Sequence, residues 1–177
     1  YAHGNEPSHH IIYLYNYTNS PYKTQKLVQQ VMQTMYHNSP DGLIGNEDCG
    51  QMSAWYVLSA LGFYPVTPGS NQYMIGSPLF NLAEIHLENG KSFIINAANA
   101  GNKNTYVQQA LLSTTASLRP RNWDTAFLRH EDIVQGGLIT FMMGDKPSKW
   151  FGNKFLANQP STSAENIQFV VNPVIGG

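Results

Sequence analysis

A chain of 177 residues with ten Lys and Arg against eleven Asp and Glu has a net charge of −1, and only 12% of its residues are charged. That excludes the basic footprint of a nucleic-acid binder and the polybasic patch of a membrane-surface protein. No stretch approaches the ~18 apolar residues needed to span a bilayer. The polar surface falls to Asn, Gln, Ser, Thr and Tyr, side chains suited to neutral, hydroxyl-rich ligands. The single cysteine, Cys49, permits no internal disulfide.

The opening Tyr1-Ala2-His3-Gly4-Asn5-Glu6-Pro7 is polar and unlike a signal peptide, and it reads as the middle of a motif. Pro7 suits a first helical position, or Ser8 a cap, ahead of Ile11, Ile12, Leu14 and Tyr15. This predicts a helix with Asn5-Glu6-Pro7 as its entry turn. On such a helix the adjacent His9 and His10 point ~100° apart and cannot chelate one metal ion. A turn follows over residues 16–20, and Asn16-Tyr17-Thr18 fits an N-glycosylation sequon. Pro21 opens a second helix, Tyr22 to Met35, with Leu27, Val28, Val31, Met32 and Met35 at helical spacing. Lys23, Gln25, Lys26, Gln29 and Gln33 are expected to face solvent. A turn-rich loop, residues 36–42, leads to the central motif.

That motif is Gly45-Asn46-Glu47-Asp48-Cys49-Gly50-Gln51, followed by the apolar run Met52 to Leu61. Gly62 is the expected left-handed cap of this helix, with Pro65 beyond it. Apolar residues cover most of its circumference, which predicts packing on all sides. Glu47 and Asp48 fall where a helix starts, so free N–H groups and the positive dipole end favour their ionised forms. Simple capping of the helix is the alternative reading of the same pair.

Past Gly62 the helical period is lost. Runs at Leu82 to Leu87, Ser92 to Ala97, Val107 to Leu112 and Gly137 to Met143 read as antiparallel strands. Glu88-Asn89-Gly90-Lys91 carries the Asn-Gly of a tight hairpin. From Lys149 the periodicity fades, and Asn158 to Ser163 reads as loose tail. The expectation is an α+β chain, with helices over 1–62, a β-rich segment over 63–152 and a poorly structured tail over 153–177.

Gly4-Asn5-Glu6-Pro7 with the paired histidines, the 45–56 motif, Ala60-Leu61-Gly62-Phe63-Tyr64-Pro65-Val66 and Pro68-Gly69-Ser70 together resemble the C-terminal region of glycoside hydrolase family 92. The similarity continues through Tyr73 to Phe80, Asn89-Gly90-Lys91, Gly136-Gly137-Leu138 and Met143-Gly144, so it covers roughly residues 1–152. The family comprises calcium-dependent, inverting exo-acting α-mannosidases with an (α/α)6 toroid as catalytic domain. The resemblance implies that this chain is the last helices of the toroid followed by an antiparallel β segment. It implies a secreted or periplasmic enzyme whose partners are a mannose-containing glycan and the upstream remainder of the catalytic domain.

Inverting hydrolysis needs a base to activate water and an acid to protonate the leaving oxygen, with ~6.5–9.5 Å between the carboxyls. Asp48 is the expected base and Glu47 the second candidate. An N–H of Gly50 or Gln51 is expected to orient the Asp48 carboxylate. Asn5 and Glu6 are expected calcium ligands, since the ion takes six to eight oxygens. His9, His10, Asn46 and Gln51 are expected to contact sugar. Some family members have Asp at the position of Asn46, which predicts weaker metal binding here. The family's acid belongs to an upstream motif that nothing in this chain matches. Other classes are a Cys49 nucleophile partnered by His37 or His130, and a non-catalytic sugar-binding or structural fragment. In the latter Trp123 and Trp150 would be stacking platforms, with Trp55 in the core.

Overall fold

The computed structural model describes residues 1–101 and 103–150; the expected tail lies outside these residues. The first predicted helix is instead two 3-10 turns, Glu6–Ser8 and Ile11–Tyr17. Distant side chains take the carbonyls that an α-helix would use. Trp55 Nε1–H donates to the His9 carbonyl at 3.2 Å, and Thr24 Oγ1 donates to that of Ile12 at 3.0 Å. The amide of Tyr13 therefore closes the tighter bond to His10, at 3.0 Å.

Helix α1, Pro21–Thr34, turns Val28, Val31 and Met32 inward as its spacing predicts. Gln25 and Gln29, expected outside, are each only 2% exposed. They are inward because they pair backbone groups that no strand or helix satisfies. Gln25 Oε1 accepts the amide of Val107 at 3.0 Å, and Gln29 Nε2 donates to Ser77 Oγ and the Pro78 carbonyl at 3.1 and 3.2 Å. Helix α2, Gln51–Leu61, ends at Gly62 in the left-handed region, as predicted. Its burial is one-sided: Met52, Trp55, Ser59 and Ala60 face the core, while Val57 is 56% exposed and Ala54 is exposed. Leu58 and Leu61 pack on the sheet side, but Ala54 and Val57 stay open among the described residues, so the expected all-round packing is not found within them.

Two sheets follow. Strands β1 (Phe63–Tyr64), β2 (Gln72–Ile75) and β7 (Phe127–Arg129) form a small antiparallel sheet in the order β1-β2-β7. The larger sheet has the order β3-β4-β8-β5-β6, from β3 (Leu82–His86), β4 (Ser92–Asn96), β5 (Tyr106–Thr114), β6 (Ser117–Asn122) and β8 (Gly137–Gly144). Short helix α3, His130–Val134, precedes β8. The hairpin joining β3 and β4 turns at Asn89-Gly90, with Gly90 at φ 76°. An all-antiparallel sheet was expected, but β8 runs parallel to β4, with Phe93 opposite Gly137 and Ile95 opposite Ile139. The long return through β5, β6, β7 and α3 permits this, because a crossover brings the chain back in the same direction. Strand β6 was not foreseen. It carries Pro120 and is exposed throughout, which an edge position tolerates.

Two apolar clusters result. One lies on the sheets around Phe63, Ile75, Phe93, Ile95, Leu112, Ile139 and Phe141. The other joins Ile12, Tyr13, Val28, Met32, Trp55, Tyr64 and Met74 beneath the helices. Leu58 of α2 packs against both, so α2 is the joint between the halves and carries the central motif at its N-terminus.

Candidate active site

The two motif loops cross in backbone contact. A Cβ on Gly4 would lie 2.4 Å from the Ile44 carbonyl oxygen, and one on Gly45, which sits at φ 97°, would lie 3.1 Å from that of Gly4. Only glycine permits this approach at either position. The crossing brings the strand of chain carrying Asn5 and Glu6 against the one carrying Asn46, Glu47 and Asp48.

Within the second loop the adjacent carboxylates part company. Glu47 Oε1 accepts the amide of Ser53 at 3.0 Å, and Oε2 accepts the Ser53 hydroxyl at 2.8 Å. It thereby satisfies one of the free N–H groups in the first turn of α2, from outside the helix. Asp48 is exposed and its carboxylate makes no hydrogen bond among the described residues. The Gln51 amide, expected to orient that carboxylate, donates instead to the Asp48 backbone carbonyl at 3.2 Å. The reason is local geometry: Asp48 and Cys49 both lie in the left-handed region, at φ 52° and 57°, so the chain coils tightly and its carbonyl meets Gln51 first. Two consecutive non-glycine residues in that region cost roughly 1–3 kcal/mol each, a strain that clusters at functional sites.

Behind the loops lies a hydrogen-bond network that sequence reasoning missed. His3 is 1% exposed, with Nδ1 2.7 Å from the Tyr1 hydroxyl and Nε2 2.6 Å from that of Tyr36. Burial, with His9 alongside, pushes its pKa down to about 4. The ring of His9 stacks on His3 at 4.7 Å and is 2% exposed. Its Nε2 donates to the His3 carbonyl at 2.9 Å, and its Nδ1 meets Gln51 Nε2 at 3.2 Å. Gln51 Nε2 also donates to the Tyr64 hydroxyl at 2.9 Å. Burial raises the pKa values of Tyr1, Tyr36 and Tyr64, so all three stay protonated. No local pattern marks Tyr64 or the pairing of His3 with Tyr36, because Gln51 and Tyr36 lie well away from them in the chain.

An open cleft of about 470 Å³ adjoins this network, walled by Glu6, His9, His10, Gln51, Tyr64 and the 65–70 loop. Of the expected site residues, Glu6, His9, His10 and Gln51 thus share one cleft. Asn5, Asn46 and Asp48 are exposed beside it and do not line it. The carboxyl, amide and carbonyl donors at hand are hard oxygens of the kind calcium takes. Among the described residues no three His, Cys, Asp or Glu side chains gather around a common point.

The other readings find little support. Cys49 is exposed, and His130 Nδ1 pairs with the Tyr73 hydroxyl at 3.1 Å rather than with the thiol. Trp55 is fully buried, as expected. Trp123 Nε1 donates to the Phe127 carbonyl, and Trp150 Nε1 to that of Trp123, which ties both indoles into the sheet cluster. Asn16 of the sequon is 1% exposed, and its Nδ2 donates to Ile75 and Ala126 carbonyls at 2.7 and 3.2 Å. The nitrogen a glycan needs is therefore committed to the fold.

Comparison with known proteins agrees with the motif order. Residues 1–145 match the glycosyl hydrolase family 92 catalytic domain. A solved family 92 α-mannosidase from Bacteroides thetaiotaomicron is 41% identical, with a TM-score of 0.82 over 91% of this chain and 21% of its own. A family 92 inverting mannosidase from the same organism is 43% identical, with a TM-score of 0.76 over 84% of this chain and 19% of its own. An uncharacterized secreted glycosidase of Arthroderma benhamiae is 31% identical over 150 residues, 83% of this chain and 19% of that protein. The chain thus spans about a fifth of the length of these relatives. With a family match over most of its length, an α+β fold shared with solved members and both motif loops meeting at Gly4 and Gly45, the chain belongs to glycoside hydrolase family 92.

Proposed function

We propose that the chain contributes the water-activating side of an inverting exo-α-mannosidase that removes non-reducing terminal mannose, α-1,2-linked by preference, from glycans. The observation that carries this is the crossing at Gly4 and Gly45, which joins two loops rich in uncommitted oxygen donors. Asp48 is the base: it removes a proton from the water that attacks the anomeric carbon from the face opposite the leaving oxygen. Its preference over Glu47 rests on the two hydrogen bonds that commit Glu47 to Ser53. A carboxyl from outside this chain, in the remainder of the toroid whose last helices are residues 1–62, protonates the leaving oxygen. His10 and Asn46 contact the sugar at the rim, and His9 acts behind Gln51. Asn5 and Glu6 supply oxygens to a calcium ion whose further ligands come from water, sugar and the rest of the domain. The ion contributes charge stabilisation to sugar oxygens. Export of the enzyme is inferred from the secreted relative.

The test is hydrolysis of an aryl α-mannoside and of α-1,2-linked mannobiose by the intact protein, with and without a calcium chelator. Proton NMR in the first minutes should show β-mannose appearing before its α anomer. Release of α-mannose first would overturn inversion, and no release from either substrate would overturn the mannosidase assignment.

A further inference from the structure

The protons of the buried network can be assigned in sequence, because two of its links are fixed by carbonyl oxygens, which only accept. Tyr36 spends its one hydroxyl hydrogen on the Met52 carbonyl at 3.0 Å. Its contact with His3 must therefore be a donation from Nε2–H of the ring, and the bare Nδ1 accepts from Tyr1. The His3 carbonyl can only accept, so His9 carries its hydrogen on Nε2. A neutral imidazole has one N–H donor and one bare acceptor nitrogen, so with the hydrogen on Nε2 the Nδ1 of His9 accepts. Gln51 must then present its NH₂ group, not its oxygen, to His9. Its second amide hydrogen goes to the Tyr64 hydroxyl.

Both amide hydrogens of Gln51 are now spent, and Oε1 has no partner among the described residues. Tyr64 accepts from Gln51 and retains its own hydrogen, for which no acceptor is present among those residues. Gln51 and Tyr64 both wall the 470 Å³ cleft. We propose that Gln51 Oε1 and the Tyr64 O–H form a recognition pair for a neutral sugar hydroxyl, one atom obliged to accept and the other to donate, with His9 and His3 fixing the assignment from behind. A hydroxyl both gives and takes a hydrogen bond, so it satisfies the pair completely. A carboxylate would find an acceptor opposed to it, and a bare cation has no use for the phenol hydrogen. This deepens the mannosidase reading, on which the choice of sugar rests. The roles of the two atoms rest on the network alone.

The experiment is calorimetric binding of mannose and its four monodeoxy derivatives to the intact protein, in wild type, Tyr64→Phe and His9→Leu. Tyr64→Phe should weaken mannose binding about three- to tenfold, the worth of one neutral hydrogen bond. One deoxy derivative should bind wild type weakly and lose nothing further in Tyr64→Phe, which identifies the hydroxyl. His9→Leu frees an amide hydrogen of Gln51 and should weaken mannose while sparing that same derivative. A residue that only held up the fold would weaken every sugar alike. Equal losses across the panel, or an unchanged Tyr64→Phe, would overturn the pair. The same coupling with a different neutral sugar and no response to mannose would retain the pair and sink the mannosidase reading. Mannoside hydrolysis unaffected by Tyr64→Phe would do the reverse.

Discussion

The two halves of the molecule bury different chemistry. The cluster on the sheets is built from aliphatic and aromatic side chains, with Phe93, Ile95, Leu112, Ile139 and Phe141 at or near zero exposure. The helical half buries aromatics too, but it also holds His3, Ser8, His9, Asn16, Thr24, Gln25, Gln29 and Ser59, and beyond it Ser77 is the one other buried polar residue among those described. Strand pairing satisfies most of the sheet backbone, so the sheet core can be dry. What is left over is met by side chains of the helical half: Thr24 and Trp55 take carbonyls of the 3-10 segment, Asn16 takes the Ile75 carbonyl and Gln25 the Val107 amide. The same need that draws polar groups inward gives the helical half its oriented hydrogen bonds. The sheets are scaffold, and the helical half is where geometry is set.

Ranked by their effect on unfolding, substitutions should separate the two halves. The largest loss belongs to the dry side: Phe141→Ala should cost about 3–5 kcal/mol, read as a drop in denaturant midpoint. Below it stands Gln25→Ala, which leaves the buried Val107 amide unpaired and should cost about 1–3 kcal/mol. On the same helix Lys26→Ala, at an exposed position, should stay within about 0.5 kcal/mol. If both glutamine and lysine variants unfold alike, α1 does not dock on the sheet through Gln25.

Acidification probes the polar half through His3. His3 titrates near 4 when folded, against an ordinary 6.5, because burial and His9 disfavour its charged form. Between those values the unfolded chain binds the extra proton and the folded chain does not, so stability rises with pH across the window. This contribution is complete above about 6.5 and is lost as pH falls towards 4. Thermal midpoints measured from pH 7 to pH 4 should fall in wild type and fall less steeply in His3→Gln. Equal slopes would mean that His3 is not the titrating group.

How much of this the sequence discloses depends on the range of each interaction. Local signals are legible: Gly62 as a cap, Asn89-Gly90 as a hairpin turn and the strands at 82–86 and 92–96 all follow from neighbouring residues. The inward turn of Gln25 is not, because its partner at Val107 lies 82 positions away and an amide looks the same on either face of a helix. The parallel pairing of β4 with β8 is equally hidden, since alternation identifies a strand without choosing its neighbour. For the site, the motif spacing marked Glu47 and Asp48 together. It could not say which was spoken for, because the difference lies in a backbone twist at Asp48 and Cys49 that no side-chain pattern encodes.

That twist supplies the sharpest contrast and the smallest expected change in stability. Glu47→Ala removes both bonds to Ser53 and should cost about 0.5–2 kcal/mol, the usual worth of a cap. Asp48→Asn should cost nothing and can gain a few tenths, since Asn is among the non-glycine residues best tolerated in the left-handed region. Alanine there would add strain and confuse the reading. In the intact protein Asp48→Asn should lower kcat for an aryl α-mannoside about 10²- to 10⁴-fold, the contribution of a general base, at an unchanged unfolding midpoint. Glu47→Ala should show the opposite balance, with a lowered midpoint and a smaller change in rate. If instead Glu47→Ala abolishes turnover and Asp48→Asn leaves it intact, then the cap is the base, and its bonds to Ser53 must open when substrate arrives.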